Sequence, residues 1–341
     1  MSEEQDLIII GGGPSGIACA IEASRRDLKF HLLEKGCIVN SIYNFPSDMT
    51  FFTTGELLEI GEVPMIVAAE KPGRVEGFQY YRRVVEHFDL PVRDYEIVTS
   101  VSREEEGFRV ESRHNSGEKF VYCCKRVIVA TGYYDNPNLL DIPGENLSKV
   151  SHYYTDCHPY YGKKVAIIGG KNSAAQVALD LFRNANTEVT LIYRGEKMSS
   201  QVKYWVLPDI NNRISRGEVV AYFSSEVKEI REKEIVISTP EGEQTLENDF
   251  VFAMTGYHPD VGFLRRMGIN IDPETYIPEH NPDTLETNVS GIYLAGAIVS
   301  GKMTNRIFIE NGRFHGEQIF RYWDQQNWRT INTDRKTATG V

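Results

Sequence analysis

The chain of 341 residues is 41% hydrophobic and 25% charged, and it carries a net charge of −11. That composition suits a globular protein with room for two cores, and the acidic balance argues against nucleic acid or an anionic membrane as partner. No apolar run reaches the roughly 18 residues that span a bilayer. The polar start Met-Ser-Glu-Glu-Gln-Asp is unlike a secretory signal, and five cysteines show no disulfide-framework spacing, so a reduced, cytoplasmic protein is expected.

Leu7-Ile8-Ile9-Ile10 reads as a buried parallel strand that runs into Gly11-Gly12-Gly13-Pro14-Ser15-Gly16, a complete G-x-G-x-x-G. A helix follows, with Ile17, Ala18, Ala20, Ile21 and Ala23 on its apolar face, and a second strand, Phe30 to Leu33, ends on Glu34. Gly11 makes the tight turn, Gly13 lets the backbone approach a pyrophosphate, and Gly16 lets the helix pack closely on the sheet. The helix N-terminus then faces the phosphates. Glu34 stands where a carboxylate hydrogen-bonds an adenosine ribose 2′-OH and would repel a 2′-phosphate, which suits FAD or NAD.

Next come an aromatic, hydroxyl-rich stretch through Thr54 and an amphipathic helix over Phe78 to Phe88. The period then switches to two, giving short strands at Ile97–Val101, Phe108–Glu111 and Phe120–Cys124. They feed a buried strand, Val127–Ala130, which stops at Thr131-Gly132.

The plan then repeats. Lys164–Ile168 is a strand entering Gly169-Gly170-Lys171-Asn172-Ser173-Ala174, a helix carries Ala175, Val177, Ala178, Leu181 and Phe182, and the strand Val189–Ile192 ends at Tyr193-Arg194. A helical stretch is expected around Trp205, then strands at Glu226–Ile230, Glu234–Ser238 and Gln244–Leu246, and a buried strand Phe250–Ala253 before Thr255-Gly256. Arg194, with Lys197 nearby and no acid at the strand tip, can hold the 2′-phosphate of NADPH; a solvated loop charge is the alternative reading. Lys171 stands where the middle glycine is expected and would push a pyrophosphate outward or meet it with charge. The strand of Asn288–Gly296 should return to the first domain, a helix from about Arg306 to Trp323 closes the fold, and the polar tail from Asp324 is expected to be disordered.

Cys123 and Cys124 are neighbours that face opposite sides of a strand, so they read as structural. His152 and His158 flank Cys157 without a second ligand pair at metal spacing, so no metal is expected. No C-x-x-C exists to serve as a dithiol relay.

Val39-Asn40-Ser41-Ile42-Tyr43-Asn44, Thr50-Phe51-Phe52, Leu58 to Val63, Ala130-Thr131-Gly132-Tyr133-Tyr134, Gly169 to Ser173, Tyr193-Arg194-Gly195, Phe252 to Asp260 and Ile309 to Gly316 together resemble the thioredoxin-reductase-like flavoproteins. Within them the chain is similar to the YpdA-type bacillithiol-disulfide reductase family, over roughly residues 5 to 320. The resemblance implies an α/β fold of two Rossmann-like dinucleotide-binding domains, each with a small antiparallel β-meander. FAD would lie in residues 1–134 and 262–341, and NADPH in an inserted domain, 135–261. It implies cofactor contacts from Gly11, Gly13, Pro14, Ser15, Gly16, Glu34, Lys35, Ser41, Asn44, Thr131, Gly132, Gly296, Ala297 and Ile298 on the FAD side. On the NADPH side it implies Gly169, Lys171, Asn172, Ser173, Ala174, Arg194 and Lys197. Lys171 is then a habit of the family, as is a non-acidic residue at Ala297.

One departure stands out. The family's single redox cysteine falls in the slot of Ser15, at a helix N-terminus where a thiol would be activated, and a serine cannot form a mixed disulfide. Cys19, one turn later, is the only nearby substitute by sequence. The expectation is an NADPH-dependent FAD oxidoreductase that passes electrons to a small-molecule disulfide or another acceptor, with a homodimer as the group's common form. A ferredoxin or flavodoxin NADP reductase without redox cysteine, or a non-catalytic FAD/NADP redox sensor, are the alternatives. The F-x-G-x-x-x-H segment of flavin monooxygenases is absent.

Overall fold

The structure, a computed structural model, describes residues 4–325. The chain divides into two units: one holds residues up to Asn44, Asp48–Asn136 and Tyr257 onward, the other Phe45–Ser47 and Pro137–Gly256. The second crossing thus precedes Tyr257, a few residues before the expected 261. The reason is local: the Tyr257 ring packs on Tyr134 at 4.9 Å, and the His258 N–H donates to Asn136 O at 2.9 Å.

In the first unit the strand Glu4–Ile10 lies at the middle of a seven-stranded sheet, parallel to Phe30–Leu33 on one side and to Lys119–Val129 on the other. Its residues Leu7, Ile8 and Ile9 are fully buried, as an unbroken aliphatic run requires when helices cover both faces of a parallel sheet. Ile292–Leu294 adds a further parallel strand on Lys119–Val129. Register brings Ile10 beside Leu33 and Val129, and Val129 beside Leu294, so four strand ends line up at the carboxyl edge. In open α/β sheets that edge is where nucleotides bind.

The two strands expected at Phe120–Cys124 and Val127–Ala130 are one. Lys119–Val129 pairs antiparallel with Gly107–His114 along its first half and parallel with Glu4–Ile10, so the meander of Glu96–Glu104, Gly107–His114 and Lys119–Val129 continues the main sheet. No turn residue interrupts Lys125-Arg126, which is why the strand runs through. The helix Arg74–His87 buries Gly77, Tyr80, Tyr81, Val84 and Val85, a stripe at helical spacing, and Glu76 reaches back to accept the Gly73 N–H at 2.8 Å.

The second unit has its own five-stranded parallel sheet, with Lys164–Ile168 flanked by Glu188–Ile192 and Phe250–Ala253 and the short strands Val220–Tyr222 and Val150–Ser151 at the edges. Glu226–Ile230, Glu234–Thr239 and Gly242–Glu247 form a separate antiparallel sheet. Ala174, Ala175, Val177, Ala178 and Leu181 of the helix Asn172–Asn184 fill the core with Val165, Ile167 and Phe252.

Three further expectations change. Trp205 lies in a turn, and the helix there begins at Leu207, with Pro208 in its first turn, where a proline loses no helical hydrogen bond. The closing helix is broken: Ile309–Gly312 forms one turn, and the chain is helical again over 315–325. The break lets Arg313 leave the helix direction and donate to the carbonyls of Glu56 and Glu59, at 2.9 and 2.6 Å. Asp324, expected to open the disordered tail, is helical and pairs with Arg26 at 2.7 Å; the tail itself lies outside the described residues.

Candidate functional site

The glycine turn of the first unit is closed by sterics. Gly11 has φ +109, and a Cβ there would sit 2.5 Å from Ala130 O; a Cβ on Gly16 would strike Gly11 O. Gly13 has nothing within 4 Å of where its Cβ would be, so this is the open side, and the helix Pro14–Ser24 starts at it with no side-chain cap. Uncovered N–H groups on an open backbone are what a pyrophosphate requires. Glu34 lies beneath the turn, 6% exposed: Gly12 N–H donates to its Oε2 at 2.6 Å and Gly36 N–H to its Oε1 at 2.8 Å. Burial raises its proton affinity and the two amide donors pull it back. Each oxygen keeps lone pairs for ribose hydroxyls, so the residues present fit the adenosine and pyrophosphate of FAD.

Of the other residues expected on this side, Lys35 forms an ion pair with Asp135 at 2.8 Å. Ser41 is on the one-turn helix Asn40–Tyr43, and the Asn44 side chain closes that turn by donating to Asn40 O at 2.8 Å. Thr131 follows the strand end beside Gly132, which has φ +66 and open space at its Cβ. Gly296, Ala297 and Ile298 begin a short 3-10 turn after Ile292–Leu294. Ile298 is fully buried, backbone included.

Ser15 occupies the second position of the helix. Its hydroxyl oxygen stands 2.6 Å from a Cβ built on Gly296 and 3.0 Å from one on Gly312, so both positions must be glycine to seat it. His315, 8% exposed, accepts the Gly296 N–H at Nδ1, 2.9 Å away, and burial, with His280 nearby, lowers its pKa to about 4. It is therefore neutral, with its proton on Nε2. Nothing in composition or spacing marks His315, because its partner is a main-chain amide from another segment. Cys19 is fully buried, and burial pushes its thiol far up, so it supplies no thiolate beside Ser15.

The second unit repeats the turn with other chemistry. Gly169 has φ +144, and its Cβ would lie 2.6 Å from Met254 O, the counterpart of Gly11 over Ala130. Ala174 takes the place of Gly16 and Lys171, exposed, that of Gly13, at the N-terminus of a helix again without a side-chain cap. Ser173 is exposed in the first turn. The Asn172 side chain is committed to the protein: it donates to Gln201 O at 3.0 Å and accepts the Lys203 N–H at 2.9 Å, clasping the following loop. Register fixes which residues of the two turns correspond. Ile10 pairs with Leu33 and Ile168 with Ile192, so the residue in the Glu34 slot is Tyr193, and Arg194 corresponds to Lys35. Arg194 and Lys197 are exposed, and among the described residues neither is in an ion pair. Two unopposed cations and no carboxylate at the strand tip fit a 2′-phosphate.

The remaining polar groups are structural. Cys124 is buried with its thiol pushed up to about 12, Cys123 is half-buried, and no disulfide joins any two of the five cysteines. His152 pairs with Glu145 at 3.2 Å, whose carboxylate also accepts the N–H groups of Leu140 and Asp141. Among the described residues no three His, Cys, Asp or Glu side chains are grouped to hold a metal ion, and no helix is long and apolar enough to cross a membrane.

Two glycine turns on parallel sheets, one over a carboxylate and one beside free cations, define a two-nucleotide oxidoreductase of the thioredoxin-reductase-like fold. The chain matches the pyridine nucleotide-disulphide oxidoreductase family over residues 8–296 and belongs to it. It is an NADPH-dependent flavoprotein oxidoreductase with FAD and NADPH as cofactors. It is 44% identical over 318 residues to bacilliredoxin reductase Bdr of Bacillus subtilis (strain 168), covering 93% of this chain and 96% of that protein. The solved structure of bacillithiol disulfide reductase Bdr (YpdA) from Bacillus cereus is similar with a TM-score of 0.92 and 45% identity, over 94% of this chain and 98% of that one. Thioredoxin reductase of T. acidophilum, at 20% identity, shares the fold with a TM-score of 0.71, over 93% of this chain and 96% of that one.

Proposed function

We propose that the first unit holds FAD and the second NADPH, and that electrons leave the flavin directly onto a small-molecule acceptor, without a thiol relay. When bound, NADPH supplies a hydride to FAD, which passes two electrons on. The chain's part is position and charge. Glu34 holds the ribose, the turn at Gly11–Gly16 and the N–H groups after it hold the pyrophosphate, and Arg194 and Lys197 hold the 2′-phosphate. Ser15, wedged between Gly296 and Gly312, would line the site beside the flavin ring.

The observation that carries the absence of a relay is Ser15 itself. A hydroxyl replaces the thiol at the helix N-terminus, and the neighbouring Cys19 is sealed with its thiol pushed far up. A serine hydroxyl cannot exchange with a disulfide. A second reading, in which the acceptor is a low-molecular-weight disulfide, is supported by the near-full-length likeness to proteins named bacillithiol disulfide reductase.

The test is NADPH oxidation with bacillithiol disulfide and with a quinone, for wild type and Ser15→Cys. We expect wild type to turn over with the quinone alone and Ser15→Cys to gain disulfide reduction. Disulfide reduction by wild type at the rate of Ser15→Cys would establish the second reading. We also propose a cytoplasmic homodimer, which the five cysteines without a disulfide and the family resemblance support and which light scattering and cell fractionation would check.

A further inference from the structure

We infer that Tyr193 is a specificity-determining residue of the second nucleotide site: its ring fills the slot that Glu34 fills in the first. It thereby withholds the carboxylate that a ribose 2′-hydroxyl seeks and a 2′-phosphate cannot tolerate. The inference deepens the assignment of NADPH to the second unit and rests on it.

Two independent features place the ring in that slot. The first is register, since Glu34 follows Leu33, the partner of Ile10, and Tyr193 follows Ile192, the partner of Ile168. The second is the glycine that faces each side chain. A Cβ on Gly12 would lie 2.9 Å from Glu34 Cβ, and a Cβ on its counterpart Gly170 would fall on the Tyr193 ring. Gly195 faces the same ring, where a Cβ would be 2.5 Å from Cε1. The backbone holds the side chain there: Tyr193 N–H donates to Tyr222 O at 2.9 Å, and Ser225 N–H donates to Tyr193 O at 3.1 Å.

The consequences differ in sign between the two slots. Glu34 is an acceptor that rewards a hydroxyl and repels a phosphate. The Tyr193 ring offers an apolar face, so the charge of Arg194, the next residue, acts on a phosphate unopposed. In the first unit the residue corresponding to Arg194 is Lys35, and its charge is already engaged by Asp135. Selection for the 2′-phosphate thus comes from a cation supplied and an anion left out, one residue apart.

The experiment uses the FAD-loaded protein and two probes, 2′,5′-ADP and 5′-AMP, titrated by calorimetry. Wild type should prefer 2′,5′-ADP by about 100-fold or more, and Tyr193→Glu should cut that preference at least about tenfold, with flavin absorbance and Tm unchanged. Tyr193→Phe should keep it. Tyr193→Gln, which removes the ring without adding charge, separates the two effects: it retains the preference, whereas Tyr193→Asp lowers it as Tyr193→Glu does. A glutamate or aspartate variant with wild-type preference, or a glutamine variant that loses as much as the acid, would overturn the inference. Wild type that binds 2′,5′-ADP no better than 5′-AMP would overturn the NADPH assignment beneath it.

Discussion

The two glycine turns share one backbone solution and opposite electrostatics. Gly11 and Gly169 each adopt a positive φ under a strand-end carbonyl, at +109 and +144. Beyond that point the first turn is open at Gly13 and backed by the Glu34 carboxylate, whereas the second carries Lys171, the Tyr193 ring and the free Arg194. What the backbone conserves is the phosphate cradle. What the side chains vary is the identity of the adenosine end. The contrast extends to the sheets: the meander of the first unit is continuous with its nucleotide-binding sheet, and that of the second stands apart.

The largest effect should come from breaking the shared part. Gly11→Val forces a branched side chain against Ala130 O and should yield protein without FAD, read as lost flavin absorbance. Gly169→Val should instead leave FAD in place and abolish 2′,5′-ADP binding. If either substitution removes both ligands, the two turns are not separable as described.

His315 should make the first unit the acid-sensitive one. Its folded pKa is about 4 against an ordinary 6.5, so as pH falls through 6.5 the unfolded chain takes up a proton that the native state refuses. Stability is then lost progressively down to pH 4 and no further below it, by up to about 3 kcal/mol. Chemical denaturation at pH 7 and pH 4.5 checks this. His315→Asn, which can still accept the Gly296 N–H, should flatten the pH dependence, and an unchanged slope would show that other groups cause it.

Arg194→Ala should weaken NADPH binding by about 1.5–3 kcal/mol, the range of a charge-assisted hydrogen bond, and leave NADH unaffected. Stopped-flow measurement of both cofactors separates a charge on the 2′-phosphate from a general loss of the site. The smallest effect is expected from Glu34→Gln. One of its two amide acceptors becomes a donor facing an N–H, which should cost about 1–2 kcal/mol in FAD affinity, measured by reconstitution of the stripped protein.

Much of this arrangement is legible in the chain itself, because strands, turns and helices of a nucleotide fold follow short-range patterns. The aliphatic runs at Leu7–Ile10 and Lys164–Ile168, the glycines and Glu34 all act within one local unit. What escapes depends on neighbours distant in sequence. Which residue tops the strand Glu188–Ile192 is set by register with Ile168, so Tyr193 and not Arg194 takes the slot. The clasp of Asn172 on Gln201 and Lys203, the hold of His315 on Gly296, and the break at Arg313 are likewise made by partners that no periodicity announces. The merging of two expected strands into Lys119–Val129 has the same origin, since its two halves pair with different strands.

The most direct test of the central claim is an anaerobic titration of the yellow protein with NADPH and, separately, with NADH, followed at the flavin's long-wavelength absorbance band. The account predicts bleaching by NADPH at stoichiometric amounts and by NADH only at large excess. Equal bleaching by the two would contradict the assignment of the second site. A flavin that NADPH leaves oxidised would contradict the electron path and bring the redox-sensor alternative forward.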